Sequence, residues 1–284
     1  VGVDNIDIPA ATEAGITVVN APTGNTTAAA EHTIALLFAL SRNISAADAS
    51  MHAGDWNRSA FMGRELVDKT LGVIGLGKIG MAVADRARAL GMNVLGYDPY
   101  VTDEAAKAHG LERRSVAEIL EAADAVTVHV PKTTDTANLI STDELATMKP
   151  DAWIINVARG GVVDEAALAA ALDAGTIAKA AVDVYSSEPP EKDNPLLSAP
   201  NIVLTPHLGA STAEAQTRVV VEAAEQVLEV LAGRSARYAI NAPMLTPETA
   251  DAQAPNLPLA RTLGQFYAHF SEDLGDLRLE VAGE

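Results

Sequence analysis

The sequence predicts a doubly wound α/β fold on a parallel sheet, and three observations carry that prediction. Six short apolar runs rich in β-branched residues recur at 71–75, 93–97, 125–130, 153–157, 178–184 and 202–205, as in strands buried on both faces. Segments with helical spacing separate most of them, which parallel neighbours require. Three helix starts carry Ser-x-x-Glu, at Ser115/Glu118, Ser141/Glu144 and Ser211/Glu214, a reciprocal cap that marks a helix independently of hydropathy.

In chain order, Val1-Gly2-Val3-Asp4-Asn5 opens without an initiator methionine, and residues 16–19 read as a short strand with few upstream neighbours to pair with. A segment before Val1 is therefore expected. An alanine- and leucine-rich helix follows at 27–40, then a polar stretch, 51–64, holding Trp56, Phe61 and Met62. After the regular strand-helix region begins at Thr70, a helix starts near Asp164 and stops before Gly175. Residues 186–201 form a long, proline-rich loop without regular structure, and loops of that length in a compact domain are usually functional. Past Ala210 a helix runs to Leu231, too long for another crossover, and is expected to return to the first domain. Beyond Pro243 the composition changes, with a helix at 259–274 and a strand-like 277–281. The expected organisation is 1–22 as the end of a second α/β domain for substrate, 23–209 as a nucleotide domain, 210–242 as the returning helix, and 243–284 as the start of a third domain.

The most specific motif lies at the first regular strand. Val73-Ile74-Gly75-Leu76-Gly77-Lys78-Ile79-Gly80 joins the run at 71–74 to a helical pattern over 79–90 that stops at Gly91, and Asp98 follows at the end of the next strand. On such a turn Gly75 permits the reversal, Gly77 lets backbone N–H groups approach a pyrophosphate at the positive end of the helix, and Gly80 lets the helix pack close to its strand. Asp98 would accept the adenosine ribose hydroxyls. A bare G-x-G-x-x-G is weak; strand, helix and downstream acid together predict a dinucleotide site for NAD.

Composition bounds the partners. The formal net charge is −18, from 20 basic and 38 acidic residues, which argues against nucleic acid or an anionic membrane surface. The acids are scattered rather than gathered in a tail, and lysine is rarer than arginine, a surface like those adapted to high salt, where the Debye length falls to about 3 Å. There are no cysteines, so disulfide and thiolate chemistry are excluded. No long apolar segment or signal-peptide pattern is present, and a cytoplasmic protein is expected. No set of His, Asp and Glu has metal-ligand spacing, and no metal is expected.

In an open parallel sheet, ligands lie beyond the carboxyl ends of the strands. Three candidates occupy such ends: Arg159 after 153–157, Glu188 beyond Tyr185, and His207 after 202–205. Singly they are bland, since an arginine at a strand end is ordinarily ion-paired surface and a glutamate before Pro-Pro is ordinarily loop. Together they make a hydride-transfer site. Histidine titrates near neutrality and can take a hydroxyl proton as hydride leaves carbon; a neighbouring carboxylate stabilises the imidazolium; arginine offers a planar fork to a substrate carboxylate. His32 and His129 sit in apolar patterns and read as packing residues, and His52, His109 and His269 as surface.

These residues resemble the D-isomer-specific 2-hydroxyacid dehydrogenases. The resemblance runs from Val1 to about Asn241 and is carried by Gly2-Val3-Asp4-Asn5-Ile6-Asp7, the glycine motif, Tyr97-Asp98-Pro99, Asn156-Val157-Ala158-Arg159-Gly160-Gly161-Val162-Val163-Asp164-Glu165, Asp183-Val184-Tyr185-Ser186-Ser187-Glu188-Pro189-Pro190 and Pro206-His207-Leu208-Gly209-Ala210-Ser211-Thr212. It implies a Rossmann-type cofactor domain with NAD, a small 2-hydroxy acid as substrate, and Arg159, Glu188 and His207 as the catalytic set. It further implies pyrophosphate contacts at Lys78 and Ile79, Val130 near the adenosine, Val157, Ala158 and Arg159 beside the nicotinamide, and Asp183 as partner of its carboxamide. His207, Leu208, Gly209 and Ala210 line the same ring, and Val1 falls on a cofactor contact. Trp56 falls where relatives send an aromatic residue into the neighbouring subunit, which implies a homodimer. The segment after Pro243 favours the branch that oxidises 3-phospho-D-glycerate to 3-phosphohydroxypyruvate in serine biosynthesis. Glyoxylate or hydroxypyruvate reduction, and an NAD-gated binding role like that of the C-terminal binding proteins, remain open alternatives.

Overall fold

The computed structural model describes residues 2–3, 5–232, 234–242 and 256–269, and these divide into two compact units, Thr23–Val219 and Val1–Pro22 with Val220–Glu284. In the larger unit α2 (Thr26–Arg42) and α3 (Ile44–His52) precede seven strands: β1 (Thr70–Ile74), β2 (Asn93–Tyr97), β3 (Glu112–Arg113), β4 (Ala125–Val128), β5 (Trp153–Asn156), β6 (Lys179–Val182) and β7 (Ile202–Leu204). All are parallel, in the order β3-β2-β1-β4-β5-β6-β7. The six strands expected from apolar runs are all present; β3 is an addition. It is a polar two-residue edge, paired through Leu95 and Gly96 of β2, and no hydrophobic pattern announces it.

The sheet is buried from both sides, so its strands read as continuous apolar runs rather than alternating ones. Leu71, Val73, Ala125, Ile155 and Ala181 face one core, with Leu36, Leu37 and Leu40 of α2 and Val83, Ala84 and Ala87 of α4 (Lys78–Ala89). Ile74, Val126, Val128, Ile154 and Val182 face the other, beneath α6 (Val116–Ala122), α7 (Thr142–Thr147) and α8 (Glu165–Asp173). α5 (Asp103–Ala108) leads into β3.

The caps follow the sequence in part. Ser115 and Glu118 form the reciprocal pair. At α7 the Ser141 N–H donates to Glu144 at 3.0 Å, while the Ser141 hydroxyl donates to Asp164 at 3.1 Å, and Asp164 caps α8 through the N–H groups of Ala166 and Ala167. Ser211 is not a cap: α9 (Ala213–Leu231) begins two residues later, and the Thr212 hydroxyl accepts from the Ala215 N–H at 3.1 Å. The loop at 186–201 contains a 3-10 turn, Pro195–Leu197, capped by Asn194, where no regular structure is expected.

In the smaller unit α1 (Ile8–Glu13) is capped by Asp7. Residues 16–19 are not a strand. They make one antiparallel bridge, Val19 with Ala239, flanked by Ile240 N–H to Val18 carbonyl at 2.8 Å and Asn20 N–H to Tyr238 carbonyl at 3.0 Å. Gln226 of α9 joins the same two segments, donating to the Asn20 carbonyl at 2.5 Å and accepting from the Tyr238 N–H at 2.7 Å. A further helix covers Leu257–Ala268. The expected cofactor contact Val1, the proline-rich start of the tail and the strand-like 277–281 lie outside the described residues, as does the end of the helix expected at 259–274.

Candidate active site

At the sheet's centre β1 ends on the glycine turn. Gly75 has φ +97°, and a Cβ there would lie 2.7 Å from the His129 carbonyl and 2.9 Å from Val130 Cγ1, so the turn requires both the left-handed backbone and the missing side chain. A Cβ on Gly80 would enter the Gly75 carbonyl oxygen. Gly77 is the opposite case: a Cβ there meets nothing within 4 Å, and it precedes α4, which starts at Lys78 with no side-chain cap. Open space at the positive end of a helix fits a pyrophosphate. Beside it the Asp98 carboxylate is fixed by the Leu76 N–H at 2.9 Å and the Tyr100 N–H at 2.8 Å. His129, hydrogen-bonded to Thr127 at 3.0 Å, is held neutral because burial lowers its pKa to about 4.

Two strands along, the turn after β5 is braced by Asn156, whose buried side chain accepts from the Ala158 N–H and donates to the Arg159 carbonyl, both at 3.0 Å. The Arg159 guanidinium donates to the Ala158 carbonyl at 2.7 Å. Gly160 packs so closely on the backbone of Tyr185 and Ser186 that no Cβ could be placed there. The Arg159 turn is thereby pressed against the start of the loop that carries Glu188.

Across the ends of β6 and β7, His207 Nδ1 lies 2.6 Å from Glu188 Oε2. The other carboxylate oxygen, Oε1, accepts from the Tyr185 N–H at 3.0 Å, so Glu188 is held by its own loop. Both side chains are partly exposed, 45% for His207 and 37% for Glu188. His207 has φ +56°, and its turn is tied down: Asp183, fully buried, accepts the Leu208 N–H at 2.8 Å and the Gly209 N–H at 2.9 Å. A Cβ on Gly209 would come within 3.1 Å of Val157 and 3.3 Å of Asp183, which brings Val157, Asp183 and the 207–210 turn into one cluster. Tyr185 donates its hydroxyl to the Thr205 carbonyl at 3.1 Å; burial and the nearby carboxylates Asp183, Glu165 and Glu188 push its pKa up, so it stays a donor. Beside the pair opens a cavity of about 460 Å³ lined by Tyr185, Pro190, Leu197, Leu204 and Pro206 together with Glu188 and His207.

Of the residues singled out in the sequence, Gly75, Gly77, Lys78, Gly80, Asp98 and Val130 therefore gather at the first turn, and Val157, Asp183, Glu188, His207, Leu208 and Gly209 at the other. Ile79 lies in the first turn of α4; Ala158 and Ala210 lie on the two strand-end turns, both half-buried. One reading needs revision. His32 is not a packing residue, since its Nε2 lies 3.1 Å from Asp183 Oδ1 and 3.2 Å from Thr205 Oγ1. Asn156, Thr205 and Tyr185 also hold the site, a role that no sequence pattern assigns to them, although the asparagine directly before the Val157-Ala158-Arg159-Gly160-Gly161 turn is a visible signal. Among the described residues no cluster suited to a metal ion occurs, and no helix is long and apolar enough to cross a membrane.

Residues 34–209 match the model of the D-isomer specific 2-hydroxyacid dehydrogenase NAD binding domain. The chain belongs to the D-isomer specific 2-hydroxyacid dehydrogenase family. Its parallel sheet is that family's NAD-binding Rossmann domain. Its relatives include the D-3-phosphoglycerate dehydrogenases of Synechocystis sp., 51% identical over 93% of this chain and 48% of that protein, and of Bacillus subtilis, 45% identical over 100% of this chain and 54% of that protein. The chain spans about half the length of the curated relatives it matches. Among solved structures, D-lactate dehydrogenase from Aquifex aeolicus complexed with NAD and lactic acid aligns with a TM-score of 0.78 at 30% identity, over 85% of this chain and 78% of that one. A glyoxylate reductase aligns with the same TM-score at 33% identity, over 84% of this chain and 72% of that one.

Proposed function

We propose that this family member oxidises 3-phospho-D-glycerate to 3-phosphohydroxypyruvate with NAD. The observation that carries the reading is the His207–Glu188 contact of 2.6 Å on the ligand edge of an NAD-binding sheet; the choice of substrate is supported by the relatives named D-3-phosphoglycerate dehydrogenase, about half identical to this chain.

Bound NAD supplies the acceptor for the hydrogen on C2 and its electron pair. The residues supply everything else. With Nδ1 engaged by Glu188, His207 has Nε2 to take the C2 hydroxyl proton, so the bond from C2 to oxygen becomes a carbonyl as the C–H bond breaks. Glu188 fixes the tautomer and stabilises the imidazolium, and the Tyr185 N–H fixes Glu188. Arg159 presents a guanidinium fork to the substrate carboxylate and to the carbonyl oxygen that forms. The turn at Gly75, Gly77, Lys78, Ile79 and Gly80 would hold the pyrophosphate, Asp98 the ribose, and Val130 the adenosine side. Val157, Ala158, Leu208, Gly209 and Ala210 would wall the nicotinamide.

The same His207–Glu188 pair would also serve, as a second reading, reduction of the unphosphorylated glyoxylate or hydroxypyruvate, because the proton it moves is common to these acids. Steady-state turnover of 3-phospho-D-glycerate, D-glycerate, glyoxylate and hydroxypyruvate by the full-length protein decides: phosphoglycerate is expected to have the highest kcat/KM, and preference for an unphosphorylated acid refutes the first reading.

Three further parts belong to the same reading. Residues 1–22 and 210–242 are assigned to a substrate domain and 243–284 to the start of an additional one. The enzyme is a homodimer through the face bearing Trp56, which is 77% exposed, with Met51 and Met62 also exposed; a Trp56→Ala variant that sediments unchanged would remove that assignment. The enzyme is placed in the cytoplasm, which cell fractionation checks.

A further inference from the structure

Under the 206–210 turn lies a polar cluster that proton transfer does not use. Asp183 follows β6, has no exposed surface, and receives four hydrogen bonds on its carboxylate. Oδ1 accepts from the Leu208 N–H at 2.8 Å, the Thr205 hydroxyl at 2.5 Å and His32 at 3.1 Å, and Oδ2 accepts from the Gly209 N–H at 2.9 Å. The Asp183 carbonyl accepts the His207 N–H at 2.8 Å. His32 comes from α2, more than a hundred residues earlier in the chain. The Thr205 hydroxyl has one proton and gives it to Asp183, so its 3.2 Å contact with His32 Nε2 is one in which it accepts; His32 therefore carries its proton on Nε2 and shares it between Asp183 and Thr205.

A buried carboxylate is costly unless every oxygen is supplied with donors. Desolvation alone would push the Asp183 carboxyl up, but the hydrogen bonds from His32, Thr205 and the Leu208 N–H outweigh it and hold the pKa below the usual carboxylate value. The charge thus persists, and it is shared between two side-chain donors and two backbone donors. Those backbone donors belong to the two residues after His207, whose own backbone sits in the left-handed region at φ +56°. If the His32 donor is lost, the buried carboxylate is left short of a partner and regains one by turning towards water, which loosens its bonds to the two N–H groups that set where the His207 ring points.

We propose that His32 is a positioning residue of the reaction: by donating from Nε2 to Asp183 and Thr205 it holds the 205–209 turn, and with it His207, in the conformation that presents the base to the substrate. This rests on the reading of His207 as the base.

The test compares His32→Leu, His32→Asn and His32→Gln with wild type in the full-length protein. Leucine fills the space without a donor, asparagine is too short to reach, and glutamine places an N–H near the position of Nε2. Leucine and asparagine are expected to lower kcat about 10- to 100-fold, the scale of a misplacement of roughly 1 Å, with KM for the hydroxy acid changed by less than about threefold, while glutamine restores most of the loss. In parallel, hydrogen exchange at the Leu208 and Gly209 amides is expected to be about tenfold faster or more in the leucine and asparagine variants. Unchanged exchange at those amides overturns the proposal, as does a kcat within about twofold of wild type in both variants. If leucine prevents folding, asparagine carries the comparison. If wild type oxidises no 2-hydroxy acid, the functional reading fails, and the exchange measurement still decides whether His32 holds the turn.

Discussion

Alanine at Gly75 and alanine at Gly77 should separate folding from cofactor binding, although the two glycines are two residues apart. At Gly75 a Cβ would sit 2.7 Å from the His129 carbonyl, where ordinary contact begins at 3.4 Å, so β1 or β4 must give by about 0.7 Å. Overpacking of that kind costs roughly 1–3 kcal/mol, and φ +97° for a residue with a side chain adds about 1–3 kcal/mol. The expected loss of stability is therefore about 2–6 kcal/mol. At Gly77 the backbone has φ −67° and the added methyl meets nothing within 4 Å, so stability should change by less than about 1 kcal/mol. The methyl would instead occupy the space over the start of α4. Loss of one charge-assisted N–H bond to a phosphate, about 1.5–3 kcal/mol, corresponds to an NAD Kd raised roughly 10- to 100-fold. Chemical denaturation and calorimetric NAD titration of the two variants check this. If Gly77→Ala binds NAD as wild type does, the pyrophosphate does not lie on this turn and the cofactor site has been misplaced.

Asp98 should make NAD strongly preferred over NADP, because a carboxylate accepts from two ribose hydroxyls and repels a 2′-phosphate; equal kcat/KM with both cofactors would contradict this. Arg159→Lys keeps the charge and loses the fork, so KM for the hydroxy acid should rise far more than the Kd for NAD, and parallel losses would place Arg159 with the cofactor or the fold. His129 is neutral in the fold because burial lowers its pKa to about 4, from the ordinary histidine value of 6.5. The unfolded chain therefore takes up the proton first, and stability present above pH 6.5 is lost as pH falls toward 4, by at most about 3 kcal/mol. In His129→Gln that part of the loss should vanish from denaturation midpoints measured at neutral and acid pH, and an unchanged acid loss would refute the assignment.

What was legible in the sequence follows from how local each cause is. The six larger strands announce themselves because both faces of β4 and β5 are buried and every position must be apolar. The glycine turn is legible because Gly75 and Gly80 are demanded by backbone contacts within one strand-turn-helix unit. β3 is invisible because an edge of two polar residues is held by backbone bonds such as the Arg114 N–H to the Gly96 carbonyl. Residues 16–19 misread as a strand because their partner at 238–240 comes from the far end of the chain. His32 misread as packing for the same reason: its apolar neighbours in α2 are local, whereas Asp183 and Thr205 are not. Ser211 and Thr212 both suit a cap, and only the start of α9 at Ala213 selects Thr212.

His207 carries the proposed chemistry most directly. Replacing it by asparagine in the full-length protein removes the ring that Glu188 orients and leaves the glycine turn, Asp98 and the nicotinamide wall in place. Measured together, NAD affinity should stay within about threefold of wild type while turnover of 3-phospho-D-glycerate falls roughly 10²- to 10⁴-fold, the worth of a positioned general base. Turnover that survives the substitution, or NAD binding lost along with it, would contradict the claim that the His207–Glu188 pair moves the proton in this reaction.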